Sequence, residues 1–263
     1  MQNKVIDQKF AGIIDSVCYW LGYQFKIGRE QLIHEASLRY PIADSITSNG
    51  IAINRIVLEK LHPIFKSKKI DLVIFDDSVK HPENETDDSR LIEVYEFKIA
   101  KNKTGVIYSD EHQRVFDDVV RLAFYNHWHK KDCYFLMCGT YENFKTYFVG
   151  QKNEIKKQGL KNIISERQIK KVDNPILHET EEWLPAGLYE DWFSFRIGEP
   201  KTKTFKIESE TWGLIPFKKN YFTRDNKYNF TDELTIKTTC MALSPIGEKN
   251  KTHAAGIWKI EAL

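Results

Sequence analysis

Two apolar runs decide the fold: KKIDLVIFDD (residues 68–77) and LIEVYEFKIA (91–100). Each is short, rich in β-branched and aromatic residues, and strand-like. Between them, DSVKHPENETDDSR (77–90) is polar and turn-rich and reads as an exposed loop. An antiparallel hairpin that pairs residue 77 with 90 sets Asp71 opposite Glu96. Facing side chains in such a pair have Cβ atoms roughly 5 Å apart. Lys98, two residues on from Glu96, emerges on the same face.

An isolated E-x-K carries little information, because the chain holds three: Glu96-Phe97-Lys98, Glu154-Ile155-Lys156 and Glu199-Pro200-Lys201. Only the first sits inside an apolar segment that follows another opening with a carboxylate. Two facing carboxylates repel unless something compensates them. A divalent cation would do so, since Mg²⁺ takes hard oxygen ligands, typically one or two carboxylates with waters and phosphate oxygens. The competing reading is an ordinary cross-strand Asp–Lys–Glu salt-bridge set.

An acidic residue opening one strand and E-x-K on the next resembles the PD-(D/E)xK nuclease superfamily. Ile70-Asp71-Leu72-Val73 stands where that family has its first carboxylate, and Glu96-Phe97-Lys98 matches the second half-motif. Lys69 departs from the proline that many members carry near the Asp. The resemblance covers roughly residues 25–150. It implies an α/β protein with a restriction-endonuclease-like core: a helix, a small mixed sheet carrying both motifs, a second helix and a further strand. It implies Mg²⁺, with Mn²⁺ as a substitute, held by Asp71, Glu96 and the backbone carbonyl of Phe97, and Lys98 positioning a water. Glu35, in LIHEASLRY, is the best-placed extra carboxylate for the site and its metal. The implied activity is phosphodiester hydrolysis on nucleic acid, DNA first, as a restriction-type endonuclease. The alternative is a non-catalytic nucleic-acid- or protein-binding module that keeps the fold. Cutting both strands would call on a homodimer.

Composition fits these expectations without adding to them. The 263 residues are 41% hydrophobic and 29% charged, with a net charge of +2, so no global field announces nucleic acid. Basic clusters at Lys66-Ser67-Lys68-Lys69, Lys101-Asn102-Lys103 and Lys170-Lys171 could meet phosphates, or simply be solvated surface. The four cysteines form no CxxC or zinc spacing. With no signal pattern and no apolar run near ~20 residues, no membrane partner and a cytoplasmic location are expected.

Periodicity predicts helices over 3–21, stopped by Gly22; over 28–40, ended by Pro41; over 51–61; and over 109–130. Glu35 has a rival explanation as the i,i+4 partner of Arg39. His34-Glu35 fails as H-E-x-x-H because position 38 is Leu. Glu59 is a competing acidic candidate. In 109–130, Val115, Phe116, Val119, Val120 and Ala123 form an apolar stripe, and Gln113, Asp117 and Arg121 another, either near DNA or as an exposed Asp117–Arg121 pair. His127 and His129 read as helix C-terminal cations. A buried strand follows at 133–139, then a helix or a continued sheet at 141–150.

The organisation expected is residues 1–150 as the nuclease-like core and 151–263 as an appended β-rich region for recognition or dimer contact. TKTFKIES, ELTIKTTCMALS and AGIWKIEAL are its strand-like stretches. Its aromatics, among them Trp183, Trp192, Phe193, Phe195, Trp212, Phe217, Tyr221, Phe222 and Trp258, could stack bases. The favoured reading makes them core. The same region could instead complete the first domain's sheet.

Overall fold

The computed structural model describes residues 8–63, 68–85, 87–100, 109–144, 193–206, 211–212, 215–216, 233–244 and 252–263. Helices α1 (Gln8–Lys26) and α2 (Glu35–Ser48) precede strands β1 (Ile56–Leu61), β2 (Lys69–Phe75) and β3 (Leu91–Ala100). Helix α3 (Ser109–His129) leads into β4 (Asp132–Thr140), and β5 (Pro200–Lys206), β6 (Thr211–Trp212), β7 (Ile215–Pro216), β8 (Glu233–Leu243) and β9 (His253–Ala262) follow. The architecture is mixed α/β, built on one seven-stranded sheet of order β1-β2-β3-β4-β9-β8-β5, with β6 and β7 pairing separately. Within that sheet β3 and β4 run parallel, linked through α3, and every other neighbour pair is antiparallel.

Both faces of the sheet are covered, which is why β3 and β4 read as near-continuous apolar runs. On one face Tyr95, Phe97 and Ile99 of β3 pack with Phe10, Ile13 and Val17 of α1 and Leu38, Ile42 and Ile46 of α2. On the other, Val94 and Ala100 pack with Val115, Val119, Val120 and Ala123 of α3. Strand alternation therefore sends Glu96 and Lys98 to the α3 face, and both are buried there.

The β2–β3 hairpin forms in the expected register at the motif. Leu72 pairs with Tyr95 and Val73 with Val94, so the next step sets Asp71 against Glu96. Its closure differs by one residue from the expected 77–90 pairing. An irregularity between Ile74 and Phe75 shifts the ladder, and Asp76 N donates to Arg90 O at 2.9 Å.

Several local expectations are corrected. Residues 51–61 are not a helix: a single 3₁₀ turn over Ile53–Arg55 leads into β1, which pairs with β2. Pro41 does not end a helix over 28–40, because it lies inside α2, which starts only at Glu35 after a 3₁₀ turn over Glu30–Leu32. A proline inside a helix costs about 3 kcal/mol. Fully burying Leu38, Ile42 and Ile46, at about 1.5–3 kcal/mol each, outweighs that. Gly22 does not stop α1, which runs on to Lys26. A Cβ on Gly22 would lie 3.6 Å from Nδ1 of His253, so the helix packs closely on β9 there.

The C-terminal strands complete the sheet of the first half: β9 lies against β4, pairing Phe135 with Trp258. Trp258, Phe193 and Phe195 are buried in the core, and Trp258 Nε1 donates to Ser194 O at 2.8 Å. These three are core residues, not exposed stacking platforms. Residues 141–144 form one helical turn. The clusters Lys101-Asn102-Lys103 and Lys170-Lys171, and Trp183, Trp192, Phe217, Tyr221 and Phe222, lie outside the described residues. Among the described residues no helix is long and apolar enough to cross a membrane. The four cysteines are free thiols, Cys133, Cys138 and Cys240 buried.

Candidate functional site

The ordinary β2–β3 ladder stops at Leu72–Tyr95, and a side chain takes over its next bond: Phe97 N donates to Asp71 Oδ2 at 2.8 Å. The other Asp71 oxygen accepts from Arg39 Nη2 of α2 at 2.8 Å. Arg39 Nη1 donates in turn to Glu59 Oε1 at 2.6 Å, and Lys69 Nζ to Glu59 Oε2 at 2.9 Å. Glu59 faces Asp71 in the β1–β2 register, between Leu58–Leu72 and Lys60–Ile70. Its φ of 56° is left-handed, which costs an ordinary residue about 1–2 kcal/mol. A strained residue beside a charged seam is the kind of outlier found at functional sites.

On the α3 face, Lys98 Nζ lies 2.8 Å from Asp118 Oδ2 and 3.1 Å from Glu35 Oε1. Arg121 donates from Nε and Nη2 to Glu96 Oε1, both at 3.3 Å, and also pairs with Asp118. The sequence-predicted residues are thus brought together. Asp71 and Glu96 face each other, Lys98 is adjacent, and Glu35, the first residue of α2, joins through Lys98.

The charges do not cancel. Among the described residues, Asp71, Glu96 and Lys98 with their direct partners make four carboxylates (with Asp118 and Glu35) and three cations (with Arg39 and Arg121), and Glu59 and Lys69 beyond them offset each other. Burial, then Asp71 and Asp118, push the Glu96 carboxyl well above the usual range, although Arg121 pulls it down. A hydrogen bond with Asp71 adds to the rise. Burial also raises Glu35, against the pull of Lys98. Burial disfavours the Lys98 ammonium, but Asp118 and Glu35 outweigh it and raise its pKa, so Lys98 is a charged donor and not a base.

Sequence reasoning missed Asp118 and gave Arg121 and Arg39 other partners. Asp118 was legible as a carboxylate on the apolar stripe between Val115 and Leu122, where a charge must find a partner. The exposed Asp117–Arg121 pair is corrected: Arg121 is buried and turned to Glu96 and Asp118. Arg39 does not pair with Glu35, because Asp71 and Glu59 hold it. His127 and His129 lie in the last turn of α3, as the sequence reading places them. Burial lowers both pKa values, assisted by Lys130 at His127 and by Lys131 at His129, where Asp88 opposes it.

The site was tested against a divalent cation on its donor chemistry. Among the described residues no three His, Cys, Asp or Glu side chains form a ready metal-binding group. Mg²⁺ does not demand three, since it keeps several waters and takes one or two carboxylates. Asp71 and Glu96 supply hard oxygens in mutual contact. In an extended strand a residue's N–H and C=O leave by the same edge, so the Phe97 carbonyl faces the Asp71 side. These are donors of the kind Mg²⁺ takes. No family model, curated protein or solved structure matches the chain.

Proposed function

We propose that the protein is a Mg²⁺-dependent nuclease of PD-(D/E)xK type, hydrolysing phosphodiester bonds in nucleic acid, DNA first. The observation that carries this reading is the forced contact of Asp71 and Glu96, one negative charge in excess, with the Lys98 ammonium beside them. The order α2-β1-β2-β3-α3-β4, with β3 parallel to β4, supports it, because this is the helix–sheet–helix–strand order the sequence resemblance implies.

Asp71 and Glu96, with the Phe97 carbonyl, would hold the cation, which would polarise a phosphoryl oxygen and acidify bound water. The chain's own residues do the rest. Glu96 would bind the cation as its carboxylate, against the upward push that burial gives its pKa. Arg39 and the Phe97 N–H fix the Asp71 carboxylate by bonding both oxygens. Asp118 and Glu35 hold the Lys98 ammonium in place as a positive donor to the attacking water or the developing phosphate charge.

A second reading, a nucleic-acid- or protein-binding module without turnover, draws on Arg121. It already bonds Glu96 and Asp118, so much of the charge is met internally. Incubation with plasmid and single-stranded DNA in Mg²⁺, Mn²⁺ or EDTA, beside Lys98→Ala, separates the two. Metal-dependent cleavage lost in the variant supports the nuclease. Binding without cleavage moves the assignment to the module.

A further inference from the structure

A cavity of about 560 Å³ opens beside this cluster, and its position is set by the sheet. Its floor is the last two residues of β3, Ile99 and Ala100, and the last two of β4, Gly139 and Thr140. These are the carboxyl ends of the parallel pair in the seven-stranded sheet. In α/β sheets ligands settle outside such strand ends. The volume falls within the roughly 300–1,000 Å³ that holds small ligands. Ile99 points to the face of the sheet opposite Lys98, and the cavity reaches the ion cluster at its rim, where Ile33 precedes Glu35 by two residues and the Glu35 carboxylate lies 3.1 Å from Lys98 Nζ.

The lining selects the ligand's chemistry. Leu21, Phe25, Ile33 and Ile99 give apolar walls, with Phe25 held by the ring of His253 at a centroid distance of 4.9 Å. Glu30, Gln31 and Asn143 give polar ends. Among the described residues lining it there is no lysine or arginine, and one carboxylate, Glu30, so the described walls offer hydrogen bonds and apolar contact and no cation. A flat, neutral group with N–H donors and carbonyl acceptors fits: its faces lie on apolar side chains and its edge meets Glu, Gln and Asn, the side chains that read base edges. We propose that the cavity takes one unstacked nucleobase of a single-stranded or locally opened nucleic acid whose backbone lies at the Asp71–Glu96–Lys98 cluster. The proposal rests on the nucleic-acid reading of that cluster, and it makes an unpaired nucleotide part of the substrate.

The test reads binding separately from cleavage. Five DNA pentanucleotides, each carrying one abasic site at a different position, and the intact strand are titrated by fluorescence anisotropy in EDTA. The protein is wild type or Gln31→Leu/Asn143→Leu, the fold of each checked by melting. The expected result is an abasic penalty of about 10-fold at one position, as for loss of one stacked base, shrinking towards ~1-fold in the variant. Discrimination below ~2-fold at every position, no binding of the pentamers, or full discrimination in the variant would overturn the pocket. Mg²⁺ is then added to the same samples. Discrimination without cleavage supports the base pocket and removes the nuclease. Cleavage without discrimination keeps the nuclease and removes the pocket.

Discussion

Replacing Arg121 with Met tests whether the buried cluster is held by charge, and whether a cation can take over that charge. The Arg121 side chain is 11% exposed, and its partners Glu96 and Asp118 are 4% and 6% exposed. Methionine keeps much of the aliphatic stem, so the change is chiefly electrostatic. Removing one partner of a buried pair costs about 3–5 kcal/mol, because the other charge stays uncompensated. For a chain of this size each kcal/mol moves the Tm by about 2–4 °C, so a fall of roughly 6–20 °C is expected at pH 8. Losing Arg121 removes the charge that pulls the Glu96 carboxyl down, so that carboxyl rises further. The folded state then binds protons more tightly than the unfolded one, and the loss should be smaller at pH 5 than at pH 8. A saturating divalent cation, at ~100 times its Kd, should return about 2.7 kcal/mol. The assay is thermal melting at both pH values, with Mn²⁺ or EDTA. A loss under ~1 kcal/mol at pH 8 would refute the buried ion cluster. A full loss that Mn²⁺ leaves untouched would refute cation replacement at this site.

Other outcomes follow from the same geometry. Asp71→Ala should abolish metal-dependent cleavage while the chain stays folded, at a cost of about 1–3 kcal/mol for the partners left at Arg39 and Phe97 N, read by circular dichroism and a plasmid assay. Full-rate cleavage in that variant would sink the site assignment. Glu96 and Glu35 are raised carboxylates, so their contribution to stability is fully present below the ordinary carboxylate pKa and is lost as pH rises through each raised value. In EDTA, Glu96→Gln should therefore flatten the decline of stability above the ordinary carboxylate range. Wild-type Mn²⁺ affinity should rise with pH as the raised Glu96 carboxyl ionises. Gly139→Ala should destabilise by about 1–3 kcal/mol, measured by urea unfolding, because its Cβ would lie 2.8 Å from Ala100 O, where β3 and β4 carry the floor of the cavity.

Much of the motif region was legible because its rules are local. Short apolar runs rich in β-branched and aromatic residues gave β2 and β3, and loop length gave a register that put Asp71 across from Glu96. The helix over 109–129 was legible from its apolar stripe. Residues 51–61 were misread because Ile, Val and Leu at that spacing suit a helix or a strand, and only pairing with β2 decides. Pro41 and Gly22 misled for a different reason: each carries a local penalty of a few kcal/mol or less, which packing against the sheet exceeds.

The sequence by itself determined the strand pair, the carboxylates facing across it and the lysine beside them, since side-chain direction along a strand follows from spacing alone. Tertiary structure decided the rest. It brought Arg39 from α2 and Asp118 and Arg121 from α3 onto the same seam, 20 to 32 residues in the chain from Lys98, Glu96 and Asp71. It also inserted β9 beside β4, joining the two halves in one sheet. No spacing encodes those contacts, because they depend on which helix face is buried and which strand edge is free. Four carboxylates against three cations is therefore a property of the packed molecule, fixed when burial makes each charge find its partner.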